Sequence, residues 1–259
     1  MQNKNFLLTI LAITFCNFFV FSQDDLTQYV NPLIGSDSAP ELSNGNTYPA
    51  IALPWGMNFW TPQTGKMGDG WIYTDKNSGL VGIRQTHQLS PWINDYGAFS
   101  IMPISGELRV LENDRKSQFN NIKVLPHYYK VELIDSKTIV ELSPTKRSAH
   151  FKFEFSKNSR SHIIIDAFFK NSTVKVLPEE NKIIGVSKNN SGGVPDNFSN
   201  YFIIEFNTPF DEFGTWDGKG KIFSEKELTG EHVGSYVSFL NKDNNVVEAR
   251  ISSSFISHE

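Results

Sequence analysis

The segment Ser148-Ala149-His150-Phe151-Lys152-Phe153-Glu154-Phe155 constrains the fold more than any other part of the chain. Successive side chains of a strand point to opposite faces, so this alternation puts the three phenylalanines on one side and Lys152 and Glu154 on the other. Such a strand needs an apolar layer on one side only. The chain from Ala98 onward keeps the same character. Residues 130–134 and 138–142 flank Asp135-Ser136-Lys137, a hairpin signal. Residues 162–169 form a nearly continuous apolar run interrupted by Asp166, which suits a strand covered on both faces. Residues 201–206, 234–240 and 246–253 complete the set, with a turn at 241–245 between the last two. Gly192-Gly193-Val194-Pro195-Asp196 and Gly218-Lys219-Gly220 mark loops, and no segment keeps a 3.6-residue apolar stripe for the length of a helix. Many short strands separated by turn residues predict an all-β fold, a large antiparallel β-sandwich.

The N-terminus sets the compartment. Lys4 precedes an apolar stretch, 6–21, that has the length of an export signal and is too short for a spanning helix. Residues 1–23 therefore read as a signal peptide, with Ser22-Gln23 at the cleavage point, and 24–259 as the exported domain, periplasmic, cell-surface or secreted. The alternatives are an uncleaved anchor and lipidation at Cys16, against which the bulky Phe15 argues. Cys16 is the single cysteine, so the exported part has no disulfide framework and no thiolate metal site. Its stability must rest on an apolar core, for which 236 residues suffice. Without Lys4 the charges are 23 basic against 28 acidic, a net of −5. That balance argues against nucleic acid or an anionic membrane as partner. No second apolar run approaches spanning length.

Residues 24–38 read as a short strand or turn, since Pro32 and Gly35 exclude a regular helix. From 36 to 98, Gly and Pro punctuate the chain every few residues, predicting short strands joined by structured loops. Residues 45–106 hold four of the five tryptophans, Trp55, Trp60, Trp71 and Trp92, together with Tyr48, Tyr73 and Tyr96. Few buried cores have this composition. Aromatic faces beside carboxylates and amides suit a sugar ring, which has apolar C–H faces and a rim of hydroxyls.

Individual residues carry two readings each. Trp71 and Tyr73, two apart in Asp69-Gly70-Trp71-Ile72-Tyr73-Thr74-Asp75, share one face of a strand: a stacking platform, or an aromatic pair covering one end of a sandwich. His87, between Arg84 and Trp92, contacts substrate or is a hydrogen-bonded structural residue. Asp95 in Asn94-Asp95-Tyr96-Gly97 holds sugar hydroxyls or a metal, or bonds its own backbone in an Asx-turn. Asp211, Glu212, Asp217 and 225–231 form a solvated acidic stretch, with calcium binding as the alternative. A complete glycosidase needs two carboxylates flanking the scissile bond. Asp69, Asp75 and Asp95 are candidates, but each lies in turn-like sequence. Signatures of serine hydrolases, zinc peptidases, P-loop enzymes and dinucleotide binders are absent.

Gly45-Asn46-Thr47-Tyr48-Pro49, Pro54-Trp55-Gly56-Met57, Gly70-Trp71-Ile72-Tyr73, Thr86-His87 and Asp95-Tyr96-Gly97 occur in the order found in glycoside hydrolase family 92, which the chain closely resembles. Tyr29-Val30-Asn31-Pro32-Leu33-Ile34-Gly35 and Met102-Pro103-Ile104-Ser105-Gly106 fit the same pattern. Members are calcium-dependent, inverting exo-α-mannosidases abundant in Bacteroidetes. The resemblance implies a galactose-mutarotase-like supersandwich and covers only the family's N-terminal half. The catalytic acid and base, and most of the calcium site, are expected from an α/α-barrel domain that nothing in this sequence matches. It further implies that this half supplies one wall of a pocket for a mannose-containing glycan. Trp71 would stack on or flank the sugar, with Tyr73 beside it. His87 and Asp95 would line or support the site, Trp92 would lie near it, and Gly45 and Asn46 would shape the loop facing the barrel. Gln88-Leu89-Ser90-Pro91-Trp92 and Asn94 depart from the common pattern, so linkage and leaving-sugar preference do not carry over. The alternatives are a stand-alone carbohydrate-binding module and an interaction domain that joins a separately encoded barrel.

Overall fold

The phenylalanines of the alternating segment face inward, as their spacing requires. The computed structural model describes residues 25–37, 47–65, 72–76, 79–87, 96–157, 159–190, 192–240 and 245–259. Among these, β8 (Ser148–Glu154) buries Ala149, Phe151 and Phe153 and turns His150 and Glu154 to solvent. Phe155, just past the strand, is buried as well.

Among the described residues, ten strands make the larger sheet. In chain order they are β2 (Gly79–Leu80), β5 (Ser117–Leu125), β6 (Tyr128–Leu133), β7 (Thr138–Pro144), β8, β10 (Ser172–Leu177), β11 (Lys182–Ser187), β12 (Asn200–Phe206), β15 (Glu227–Gly230) and β17 (Val246–Ser254). Their spatial order is β15-β10-β11-β12-β17-β8-β7-β6-β5-β2. The smaller sheet holds β1 (Phe59–Gln63), β3 (Gly82–Thr86), β4 (Phe99–Ser105), β9 (Arg160–Asp166), β13 (Glu212–Asp217), β14 (Ile222–Phe223) and β16 (Val233–Leu240), ordered β1-β3-β4-β9-β16-β13-β14. The ladders are antiparallel, as expected. The hairpin predicted around Asp135 joins β6 to β7 with Leu133 opposite Thr138. Ile134 belongs to its turn and is exposed. The chain between β16 and β17 passes from one sheet to the other, so these two strands are not a hairpin; residues 241–244 lie outside the described residues.

The core lies between the sheets and is rich in aromatic rings. Phe99 of β4 stacks on Phe202 of β12 at 4.1 Å, Trp60 of β1 meets Phe151 edge-on at 5.0 Å, and Phe239 of β16 meets Phe206 at 5.8 Å. Glycines make room for two of the largest rings. A Cβ on Gly185 would stand 2.1 Å from the Phe202 ring directly across the ladder, and one on Gly234 2.1 Å from Trp216.

The outer surfaces of the two sheets differ. On the ten-stranded sheet, outward residues form ion pairs in solvent, among them Lys152–Glu141, Lys175–Glu227 and Arg250–Glu205. Each contributes at most about 1 kcal/mol. On the seven-stranded sheet outward residues of the edge strand β1 and of the inner strands β3 and β9 are buried too. They include Thr61 and Gln63 on β1, Arg84 and Thr86 on β3, and His162, Ile164 and Asp166 on β9. The segment after β4 covers part of this face through α1 (Glu112–Arg115), a single helical turn. Arg115 donates to the Val81 carbonyl at 2.9 Å, to the Val110 carbonyl at 2.8 Å and to the Asp166 carboxylate at 2.9 Å. The both-sided burial expected for the 162–169 run holds for its part in β9, which ends at Asp166, while Phe169 beyond the strand is exposed.

Residues 24–38 were expected to be strand or turn, and where described they are turns. Leu26–Tyr29 is a 3-10 turn capped by the Asp25 carboxylate, which accepts from the Thr27 amide at 3.1 Å. A second turn spans 32–35. Among the described residues, no helix is long and apolar enough to cross a membrane.

Candidate functional site

Of the residues singled out for sugar contact, Trp71, Trp92, Asp95, Gly45 and Asn46 lie outside the described residues. Tyr73 and His87 are described, and the structure places them in different surroundings.

Tyr73 is 1% exposed and lies on irregular backbone, not on a strand. Its ring joins Tyr48 and Ile72 in a small satellite core and meets Phe119 edge-on at 6.4 Å. Its hydroxyl donates to Asp75 Oδ1 at 2.9 Å and accepts from Asn121 Nδ2 at 3.3 Å, while Tyr129 donates to Asn121 Oδ1 at 2.7 Å. Burial, with help from Asp75, pushes the Tyr73 phenol above its ordinary range and keeps it protonated. The expectation of an open platform on a strand therefore needs correction for Tyr73: this ring is covered. Its polar edge has partners inside the protein, which is what a buried tyrosine requires. Composition misled for the wider stretch as well. Tyr48 and Trp60 are also buried, at 6% and 0% exposure. Trp55, by contrast, is 98% exposed with a φ of +59°.

His87 follows β3 directly, at the base of the connection to β4. The last ladder pair here is Gln85 with Phe99. His87 Nδ1 lies 2.8 Å from the carbonyl oxygen of Tyr96. A carbonyl only accepts, so Nδ1 carries the proton. The imidazole lies nearly parallel to the Tyr96 ring, with centroids 5.3 Å apart and planes 16° apart. Phe255, past the end of β17, packs on His87 at 5.0 Å. Phe198 meets both Tyr96 and Phe255, at 5.5 and 5.3 Å. The next residue, Gly97, has a φ of +61°, and a Cβ there would stand 2.7 Å from the Asn200 Cβ. Its amide donates to the Asn189 carbonyl at 2.6 Å, and its carbonyl accepts from Asn200 Nδ2 at 2.5 Å. Phe198, Asn200 and Phe255 were not anticipated. They sit just outside or at the first position of strands, where alternation carries no information.

A row of amides and a hydroxyl leads from this base across the sandwich. Asn200 Nδ2 donates to Gln85 Oε1 at 3.0 Å, Gln85 Nε2 to Ser253 Oγ at 2.9 Å, and Ser253 Oγ to Asn58 Oδ1 at 3.3 Å. Asn58 Nδ2 in turn donates to the Arg147 carbonyl at 2.9 Å.

Two described carboxylates, Asp166 and Glu141, have displaced pKa values. A general acid for glycoside cleavage needs a raised pKa. Asp166 is fully buried, and burial alone would raise it. The Arg115 charge and the His232 hydrogen bond at 3.0 Å outweigh that and hold it below the usual aspartate range. Glu141 is also lowered, first by the Tyr128 hydroxyl that donates to it and then by Lys152 and Lys130. Glu205 and Glu248, beside a cleft of about 270 Å³, face Arg250 and His150. In the acidic stretch, Asp211 accepts from the Leu240 amide, Glu212 pairs with Arg160, and Asp217 accepts from the Lys219 and Lys221 amides. Among the described residues no three His, Cys, Asp or Glu side chains converge.

Residues 29–254 match the model of the glycosyl hydrolase family 92 N-terminal domain. A search of curated protein sequences gave no significant match. Among solved structures, the chain is similar to a family 92 inverting mannosidase from Bacteroides thetaiotaomicron VPI-5482, with 41% identity and a TM-score of 0.87. The similarity covers 92% of this chain and 32% of that one. It is also similar to a family 92 α-mannosidase from Bacteroides thetaiotaomicron, at 25% identity and a TM-score of 0.78 over 90% of this chain and 34% of the other. That second enzyme has also been solved in complex with mannoimidazole. The chain thus spans about a third of the length of the mannosidases it matches. Nearly all of it falls within one family model, and the two antiparallel sheets superpose on solved members: the chain belongs to glycoside hydrolase family 92, as its N-terminal domain.

Proposed function

We propose that this chain is the pocket-contributing N-terminal domain of an exported α-mannosidase that acts on mannose-containing glycans together with a catalytic α/α-barrel domain. The observation that carries this reading is 41% identity over 92% of the chain against only 32% of an inverting mannosidase. In this reading the domain supplies one wall of the sugar site. Trp71 flanks the sugar, Asp95 and Trp92 approach it from the β3–β4 connection, and Gly45-Asn46 shapes the rim toward the barrel. Tyr73 supports this wall from behind, and His87 stands at the base of the connection. Calcium belongs mainly to the barrel. Residues 1–23 direct export and are removed.

Inverting hydrolysis places an acid and a base about 6.5–9.5 Å apart with a water between them. Among the described residues, the two carboxylates whose pKa is displaced are both lowered, the opposite of what the acid needs, and Asp69 and Asp95 lie outside the described residues. The purified chain is therefore expected not to hydrolyse α-mannobiose, with or without calcium. Turnover that disappears on adding a chelator would refute that expectation. Mannose should bind weakly, at about millimolar Kd or above, because a single wall leaves most of the sugar in water. Micromolar binding would favour the stand-alone binding module. Reading the coding DNA beyond the Glu259 codon for barrel-like sequence tests the two-domain assignment directly.

A further inference from the structure

We propose that Trp55 is a docking anchor, which seats its indole in an apolar pocket of the catalytic domain that completes the enzyme. The inference rests on the proposed function for the identity of that partner; the geometry of the turn that carries Trp55 stands without it.

The turn is Leu53-Pro54-Trp55-Gly56, closed by the Gly56 amide, which donates to the Leu53 carbonyl at 3.0 Å. Proline at the second position and a φ of +59° at the third are the pattern of a type II turn, whose third position ordinarily falls to glycine or asparagine. A bulky aromatic residue is disfavoured there. Within this domain no packing of the ring offsets that strain, because the indole is 98% exposed. The turn is nevertheless held on both sides. The Ala52 amide donates to the Pro126 carbonyl, between β5 and β6, at 2.8 Å. The Met57 amide donates to the Lys146 carbonyl at 2.7 Å and Asn58 Nδ2 to the Arg147 carbonyl at 2.9 Å, both between β7 and β8. A strained residue that displays its ring on an anchored turn is preorganised for a contact outside the domain.

The partner follows from where the turn lies. Asn58 Oδ1 accepts from Ser253 Oγ at 3.3 Å, and the Ser253 amide donates to the Arg147 carbonyl at 3.4 Å, so the turn stands beside the end of β17. The match to the N-terminal domain model stops at residue 254, and about two thirds of the matched mannosidases' length is not covered. A domain that continues from residue 254 is tethered at the end of the sandwich that displays Trp55. Ile256, two residues past this boundary, is 86% exposed, which extends the apolar surface along the exit. Lys146 and Arg147 are exposed next to the turn and give the apolar anchor a cationic rim, leaving the hydrogen-bond acceptors to the partner. A sugar suits this place less well. The side chains of Leu53, Pro54 and Trp55 are apolar, and a projecting ring lacks the concave, polar-lined enclosure that holds a small ligand. A projecting tryptophan instead fills a pocket on a protein partner.

Two variants and two contexts test the anchor. Trp55→Gly removes the ring and suits the positive φ, whereas Trp55→Phe keeps an aromatic ring. In the full chain alone, hydroxyl-radical footprinting read by mass spectrometry should oxidise Trp55 readily, and Trp55→Gly should melt no lower than the parent. A clearly lower melting temperature would show that the ring packs on its own domain and would overturn the proposal. The full chain is then joined to the part of the 41% identical mannosidase that the similarity does not cover. There Trp55 oxidation should slow roughly tenfold, as for a ring at the dry centre of an interface. Trp55→Gly should lower the melting temperature of the joined protein, with Trp55→Phe between it and the parent. An unchanged oxidation rate would overturn the proposal. So would protection of Trp55 in the chain alone by mannose, which would make the ring a sugar platform. Protection that grows with the concentration of the chain alone would give the ring to a second copy and overturn it as well. If Trp55 is protected in the joined protein but no α-mannoside is cleaved, the proposed function fails and the docking role stands.

Discussion

Asp166 lies between the Arg115 guanidinium and the His232 imidazole, at 2.9 and 3.0 Å, and also accepts from the Phe168 amide at 3.1 Å. Both Arg115 and Asp166 are 1% exposed. Removing one partner of such a pair strands the other charge in a low-dielectric interior. Asp166→Asn should therefore cost about 3–5 kcal/mol, read from the shift of the urea unfolding midpoint. The acid limb carries the sign. Because the folded carboxyl sits below its ordinary value of about 3.9, the stability it contributes is complete above that pH and is lost as pH falls through the lowered value. The variant should accordingly lose less stability on acidification than the parent does. Asp166 was visible in the sequence as a break in an apolar run. Its partners were not, because Arg115 and His232 lie 51 and 66 residues away.

At the scale of elements, the connection between β3 and β4 depends on one glycine. Gly97 combines a positive φ with a space in which a Cβ would meet the Asn200 side chain at 2.7 Å. Gly97→Ala should cost on the order of 2 kcal/mol, from backbone strain plus the conflict with the Asn200 Cβ, and differential melting in the Asn200→Gly background, which removes that Cβ, tests the second part. If the double variant is no less destabilised by the alanine than the single one, steric conflict with Asn200 is not the cause. Of the strands after Ala98, β6 to β9, β12, β16 and β17 were legible, through alternation on the larger sheet or an apolar run on the smaller, whereas β13 to β15 fall in the stretch read as solvated and acidic. Residues 45–96 were less so, for two physical reasons. Tryptophan and tyrosine serve equally well as core and as sugar platform, and Trp60 and Tyr73 proved to be core. In addition, the outward row of β1 and β3 is buried yet polar, with Thr61, Gln63, Arg84 and Thr86 at 0–1% exposure. An alternation reading assigns such residues to water. The candidate site was legible only as a family pattern, since five of its seven residues lie outside the described structure and the other two have internal partners.

For the whole molecule, the pH at which the sandwich loosens should be set first by His162. Its Nε2 donates to the Gly106 carbonyl at 3.0 Å and its Nδ1 accepts from Ser238 Oγ at 2.7 Å, an arrangement that suits the neutral ring. Burial lowers its pKa, with the Arg160 charge adding to the effect. The unfolded chain then takes up this proton first, near its ordinary pKa of about 6.5. Stability from His162 is present above that pH and is lost as pH falls toward the lowered folded value. Urea midpoints between about pH 7 and pH 5 should decline for the parent, by no more than about 1.4 kcal/mol per pH unit from this group, and more shallowly for His162→Gln. A parent curve as flat as the variant's would remove His162 from this role.

The row Asn200-Gln85-Ser253-Asn58 has a mechanical meaning beyond its contribution to stability. It runs from the smaller sheet at β3 to the larger sheet at β12 and β17, and its members are buried. Two sheets joined by apolar contacts alone can slide at little cost, since such contacts have no direction. Hydrogen bonds do have direction, and a slip of one pleat would leave several of these amides unsatisfied in the interior. The row therefore acts as a shear pin. Through Ser253, Gln85 and Asn200, the end of β17 is thus linked by directional bonds to the carbonyl of Gly97, at the base of the β3–β4 connection.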